Sequence, residues 1–156
     1  MELSTSVHID APPETVWRVL TDFDDYDEWN PFMRVVGRAN EGAHLEVELR
    51  PPGRRTARFR PTVTRAEHGH ELRWQGHLLV SGLYDGEHRF RVESDGKGTR
   101  FTQSEQFDGV LVGVVNRWMG MGASVEAGFA AMNDALKARA EAIAEEATGE
   151  GGGIAA

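Results

Sequence analysis

Residues 3 to 9 alternate: Leu3, Val7 and Ile9 share a parity with Thr5, and Ser4, Ser6 and His8 take the other. That pattern predicts a strand with one buried face. Asp10 then precedes Ala11-Pro12-Pro13-Glu14. An Asp cap, prolines in the first turn and an acid near the positive dipole end predict a helix start there. Val16, Trp17, Leu20 and Phe23 continue it at helical spacing. The acidic and aromatic stretch 22–28 predicts a short second helix or turn, ended by Asn30-Pro31.

From Phe32 to Phe107 the period changes to two, with strands expected near 33–39, 43–51, 55–67, 70–79, 84–94 and 99–107. Asn40-Glu41-Gly42, Pro52-Gly53, His68-Gly69 and Asp95-Gly96-Lys97-Gly98 separate them, and each is hairpin punctuation. Successive hairpins make an antiparallel meander. The last element has a third pattern: Leu111, Val115, Trp118, Gly122, Val125, Phe129, Met132, Leu136, Ala140 and Ile143 form one apolar stripe on a helix of roughly thirty residues. Such a stripe packs against a sheet. The expected architecture is therefore α+β: a curved antiparallel sheet of about seven strands around a long C-terminal helix, with two short helices after the first strand. Residues 1–147 form one domain, and the Gly-rich tail 148–156 is expected to be disordered.

Composition narrows the partners. With 17 Lys+Arg against 25 Asp+Glu the formal charge is −8, which disfavours nucleic acid and anionic lipid headgroups. There are no cysteines, so disulfides, thiolate nucleophiles and Cys-ligated zinc are excluded. The apolar run at 110–115 is too short to span a bilayer, and the N-terminal residues lack the pattern of a signal peptide. A cytoplasmic protein without stable membrane insertion, monomeric or homodimeric, is the expectation.

The final hairpin carries the strongest candidate chemistry. With Asp95 to Gly98 as its loop, Val92 faces Phe101, Phe90 faces Gln103 and His88 faces Glu105, all on one side. The other side holds Arg89, Arg91, Glu93, Arg100, Thr102 and Ser104, and is the wet one. An imidazole and a carboxylate among apolar side chains are costly unless paired. They either form a polar floor that orients a ligand, act as a His88–Glu105 acid/base pair, or merely satisfy each other. Trp74, Phe59, Phe101, Trp118 and Phe129 either line an apolar pocket or fill it.

Gly113, Gly120, Gly122 and Gly128 interrupt the helix pattern, and each costs about 1 kcal/mol relative to Ala. They give a ligand or strand close approach, or soften a segment around Met119 and Met121 that opens to admit ligand, or show that the helix starts after Gly122. Trp29 and Phe32 sit in a loop, at a rim or folded onto the core. His68 and His70 read as a surface pair rather than a metal site, and Arg50, Arg54, Arg55, Arg58 and Arg60 as a solvated face balanced by neighbouring acids. No phosphate-loop, dinucleotide or nucleophile-elbow motif is present, and no metal or cofactor is called for.

The segments I-D-A-P-P-E-T-V-W at 9–17, W-N-P-F at 29–32, G-E-H-R-F at 86–90, G-T-R-F-T-Q-S-E-Q-F-D-G at 98–109 and F-A-A-M-N-D-A-L-K at 129–137 resemble the START-like superfamily. That superfamily, of SRPBCC type, includes polyketide cyclase/dehydrase-like and lipid-carrier proteins. The resemblance covers residues 3 to 145 and implies a helix-grip fold with an internal ligand cavity. Fold analogy does not name the ligand. Three classes follow: a binder of a lipid, quinone, sterol or polyketide-like molecule, which is favoured; an enzyme of cyclase or dehydratase type using His88 and Glu105; and a chaperone-activator-like interaction module.

Overall fold

A computed structural model describes residues 1–77, 82, 83, 85–114 and 121–152, the side chains of 121, 122 and 150–152 excepted. The chain runs β1 (Glu2–Ile9), α1 (Pro13–Thr21), a 3-10 turn (Phe23–Asp25), α2 (Tyr26–Trp29), β2 (Met33–Val36), β3 (Glu46–Leu49), β4 (Ala57–Phe59), β5 (Thr62–Glu67), β6 (Glu71–His77), β7 (Asp85–Asp95), β8 (Gly98–Asp108) and α3 (Met121–Gly152). α3 thus extends past residue 147 into the segment expected to be disordered.

Among the described residues the strands number eight. The stretch expected as one strand over 55–67 breaks at Arg60-Pro61, because proline has no N–H to give a ladder. β4 pairs with β3 in a three-stranded sheet ordered β2-β3-β4, and β5 closes the five-stranded sheet β1-β8-β7-β6-β5. The two are laced together where residues 42–45 run beside 61–63: Leu45 N donates to Pro61 O at 2.9 Å, and Val63 N to Ala43 O at 2.9 Å. The result is a continuous curved surface with α3 along its inner side.

The β7–β8 register follows the turn. Asp95 pairs with Gly98, leaving Gly96 and Lys97 as a two-residue loop, and Gly96 has φ of +64°, where glycine carries no steric cost. Pairing then places His88 opposite Glu105, Phe90 opposite Gln103 and Val92 opposite Phe101. One row of facing residues crosses the whole larger sheet: Leu3, Glu105, His88, Trp74 and Val63. Along α3, Val125, Phe129, Met132, Leu136 and Ala140 are buried against that surface. Burying a side chain of the size of Phe129 contributes about 1.5–3 kcal/mol.

Asp10 is not the cap of α1. The helix starts behind Pro12, whose carbonyl accepts from Thr15 N and Val16 N, and no side chain caps it. Asp10 lies too far upstream and is used elsewhere: its N–H donates to Glu141 Oε1 of α3 at 2.9 Å, and its carboxylate meets His8 Nε2 at 3.0 Å. Lys137 Nζ donates to His8 O at 3.0 Å, so α3 is docked on the end of β1 by polar contacts. Lys137 and the Asp10 N–H hold the Glu141 carboxyl below its usual range.

His8 Nδ1 also meets Asp95 Oδ2 at 3.0 Å, tying β1 to the β7–β8 turn. Asp95 and then Asp10 raise the pKa of His8 above its ordinary 6.5. The fold therefore favours the imidazolium. This stabilisation is present in full below the unfolded value of 6.5 and is lost as pH rises through the raised folded value. The Tm difference between wild type and His8→Asn should shrink from about pH 6 to about pH 9. A pH-independent difference would show that His8 contributes only packing.

Candidate functional site

The hairpin alternation and the two-residue turn bring His88, Gln103 and Glu105 to the concave face, and α3 supplies a fourth polar residue, Asn133. His88 Nδ1 lies 2.5 Å from Glu105 Oε2. On the other side of the ring, Nε2 is 3.0 Å from Gln103 Oε1. Gln103 Nε2 donates to Asn133 Oδ1 at 2.9 Å. These bonds orient one another. A carbonyl oxygen only accepts, so His88 Nε2 carries a proton and donates it to Gln103. Both imidazole nitrogens are thereby engaged, one with the carboxylate and one with the amide.

His88, Gln103 and Asn133 are fully or almost fully buried, and only Glu105 reaches toward solvent, with 14% of its side chain exposed. Aromatic rings enclose the imidazole. Phe90 lies at a centroid distance of 4.4 Å and Trp74 at 5.3 Å, both tilted, and Phe129 presents an edge at 5.1 Å. A glycine makes room for the carboxylate: a Cβ at Gly86 would stand 2.7 Å from Glu105 Oε1. Asn133 Nδ2 and Trp74 Nε1 are buried and meet no acceptor among the described residues.

Of the residues expected to form the cavity, His88, Gln103, Phe90, Phe101, Trp74 and Phe129 are buried on the inner face. Glu105 joins them at its margin. Phe59 is half-buried, and a Cβ at Gly76 would lie 3.4 Å from its ring. Trp118 and Met119, and the side chain of Met121, lie outside the described residues. Phe32 is not a rim residue. Its ring is buried and lies edge-on to Phe129 at 5.8 Å, over Gly128, where a Cβ would stand 2.2 Å away. Close approach thus explains one of the four helix glycines; a Cβ at Gly113 would meet nothing. Trp29 is half-buried, edge-on to Tyr26 at 5.0 Å.

Asn133 was legible only as a polar residue one position past Met132, four after Phe129, on an otherwise apolar stripe. Elsewhere, His68 pairs with Glu14 at 3.1 Å. Arg50 and Arg58 share Glu48, each at 3.0 Å, and Arg50 leads in holding that carboxyl below its usual range. Two surface grooves are lined by none of the expected cavity residues: one of about 760 Å³ beside Glu14, Trp17 and His68, and one of about 330 Å³ between Pro51–Ala57 and Ser124–Val125.

Comparison with known proteins gives a consistent result. The family described as Polyketide cyclase / dehydrase and lipid transport matches residues 1–141. No functionally curated protein matches in sequence. Protein Ms6760 from Mycobacterium smegmatis has a similar structure at TM-score 0.70 and 16% identity, covering 88% of each chain. Protein CV1439 from Chromobacterium violaceum aligns at TM-score 0.65 and 17% identity over 90% of this chain and 96% of its own. StfQ, a di-domain ARO/CYC from the steffimycin biosynthetic pathway, aligns at TM-score 0.65 and 13% identity over 95% of this chain and 51% of its own. At such identities the likeness establishes the helix-grip fold. No helix among the described residues is long and apolar enough to cross a membrane.

Proposed function

Because the chain belongs to the polyketide cyclase/dehydrase and lipid transport family, we propose that it binds a hydrophobic or amphipathic small molecule between the concave sheet and α3. His88, Gln103 and Glu105 orient that molecule. The observation that carries this reading is the polar chain Glu105–His88–Gln103–Asn133, buried among Trp74, Phe90 and Phe129. Buried polar groups seldom stabilise a core more than apolar residues of the same volume do. A recognition role accounts for their presence there.

The likeness to a di-domain ARO/CYC supports a second reading, an enzyme that folds a poly-β-keto chain for cyclisation or dehydration. The engagement of both nitrogens of His88 weighs against it, since a general base needs a nitrogen within reach of the substrate proton. Binding is therefore the favoured reading.

Native mass spectrometry of protein purified gently from its own host tests it. The expected result is a retained small molecule, released on denaturation. An empty chain that also takes up no apolar fluorophore saturably would overturn the reading.

A further inference from the structure

Asn133 is the open end of the polar chain, and its polarity is set from the other end. His88 Nε2 faces Gln103 Oε1, and the other end of the same amide, Gln103 Nε2, donates to Asn133 Oδ1. Asn133 Nδ2 is left at the far end of the chain. That atom is sealed from solvent on a residue only 2% exposed, and it has no acceptor among the described residues. A buried N–H without a partner is costly, so it calls for one. Trp74 Nε1, on the ring that lies over His88, is a second buried donor without an acceptor.

We propose that Asn133 is a ligand-anchoring residue and that the buried part of the ligand carries an acceptor oxygen, a ketone or related carbonyl, which receives a hydrogen bond from Asn133 Nδ2. This rests on the cavity reading above and narrows it. A ligand that enters with a plain hydrocarbon end leaves the donor unpaired, and one that enters with only a donor adds a second orphan. Glu105 and His88 act here through Gln103: they fix which way both amides point and do not touch the ligand oxygen.

The test uses three rigid tricycles that differ at one position: fluorenone, 9-hydroxyfluorene and fluorene. Wild-type protein is expected to bind fluorenone about tenfold more tightly than fluorene, as one hydrogen bond to an otherwise unpaired donor provides. Asn133→Leu should erase that preference while leaving fluorene binding within about twofold. The carbonyl stretch of bound fluorenone should lie at lower frequency in wild type than in the variant, a shift that altered packing would not produce. Asn133→Ala serves in place of the leucine variant if the latter fails to show a wild-type circular dichroism spectrum.

Equal affinity for fluorenone and fluorene in wild type, or a preference that survives in the variant, would overturn the anchor and leave the cavity standing. A preference for 9-hydroxyfluorene over fluorenone would mean that both amides run in the opposite sense, and would also overturn it. Binding of none of the three would count against the cavity reading itself, and the anchor would fall with it.

Discussion

Substituting alanine for Gly128 is expected to destabilise the protein by about 1–2 kcal/mol, against the ordinary sign of such a change. Inside a helix, Gly→Ala normally gains about 1 kcal/mol from backbone entropy. Here the new methyl would stand 2.2 and 2.3 Å from two ring carbons of Phe32. The ring has little room to retreat. Its backbone is held at both ends, since Phe32 N donates to Asn30 Oδ1 and Phe32 O accepts from Arg50 N. Phe129 borders the ring as well. Overpacking of this kind costs about 1–3 kcal/mol, and the shortness of the contact argues for the upper half of that range. A Phe32→Val background removes the ring, so there the same Gly128→Ala change should become stabilising by about 1 kcal/mol. Urea denaturation of the four proteins measures both signs. Stabilisation by Gly128→Ala in the wild-type background would show that the helix and the loop shift apart freely.

The second large effect is expected at His88. Replacement by leucine leaves the Glu105 carboxylate without its partner and Gln103 Oε1 without its donor. Breaking a buried pair from one side costs about 3–5 kcal/mol. Glu105 keeps some contact with water, so about 3 kcal/mol is expected here. Removing both partners in a His88→Leu/Glu105→Leu protein should recover most of that loss, because no charge is then stranded. What remains is the orphaned Gln103 oxygen, at about 1 kcal/mol. Chemical denaturation of the single and double variants decides the matter. A double variant as unstable as the sum of its parts would mean that the two residues are not a coupled unit.

The register that builds the site could be read in the sequence because a local signal determined it. Asp95-Gly96-Lys97-Gly98 accommodates only a tight turn, and once the turn is placed, alternation assigns His88, Gln103 and Glu105 to one face. The helix stripe was equally visible, since Phe129, Met132, Leu136 and Ala140 need only helical geometry to line up. The features that escaped depend on distant partners. The burial of Phe32 depends on the missing side chain at Gly128, nearly a hundred residues later. Asn133 matters because Gln103 meets it across the core, and nothing near it in the chain announces that contact. The break at Pro61 was local and readable, but the apolar alternation on both sides masked it. Asp10 had the right residue type for a cap, yet contacts with His8 and Glu141 claimed both its carboxylate and its N–H.

The position of β1 bears on how the chain assembles. Among the described residues its one neighbour in the sheet is β8, with Glu2 opposite Gln106 and Ile9 opposite Thr99. β1 is thus made long before it can be placed. Its partner follows by about ninety residues, since Ile9 faces Thr99, and α3, which docks on its end through Lys137 and Glu141, is later still. Contacts of such long sequence separation fold slowly, because the loop entropy is lost before the contact forms. During synthesis the Leu3–Ile9 segment waits as an unpaired apolar strand. The alternating Ser4, Ser6 and His8 give that waiting strand one polar side, and so make it a poorer template for association with other nascent chains.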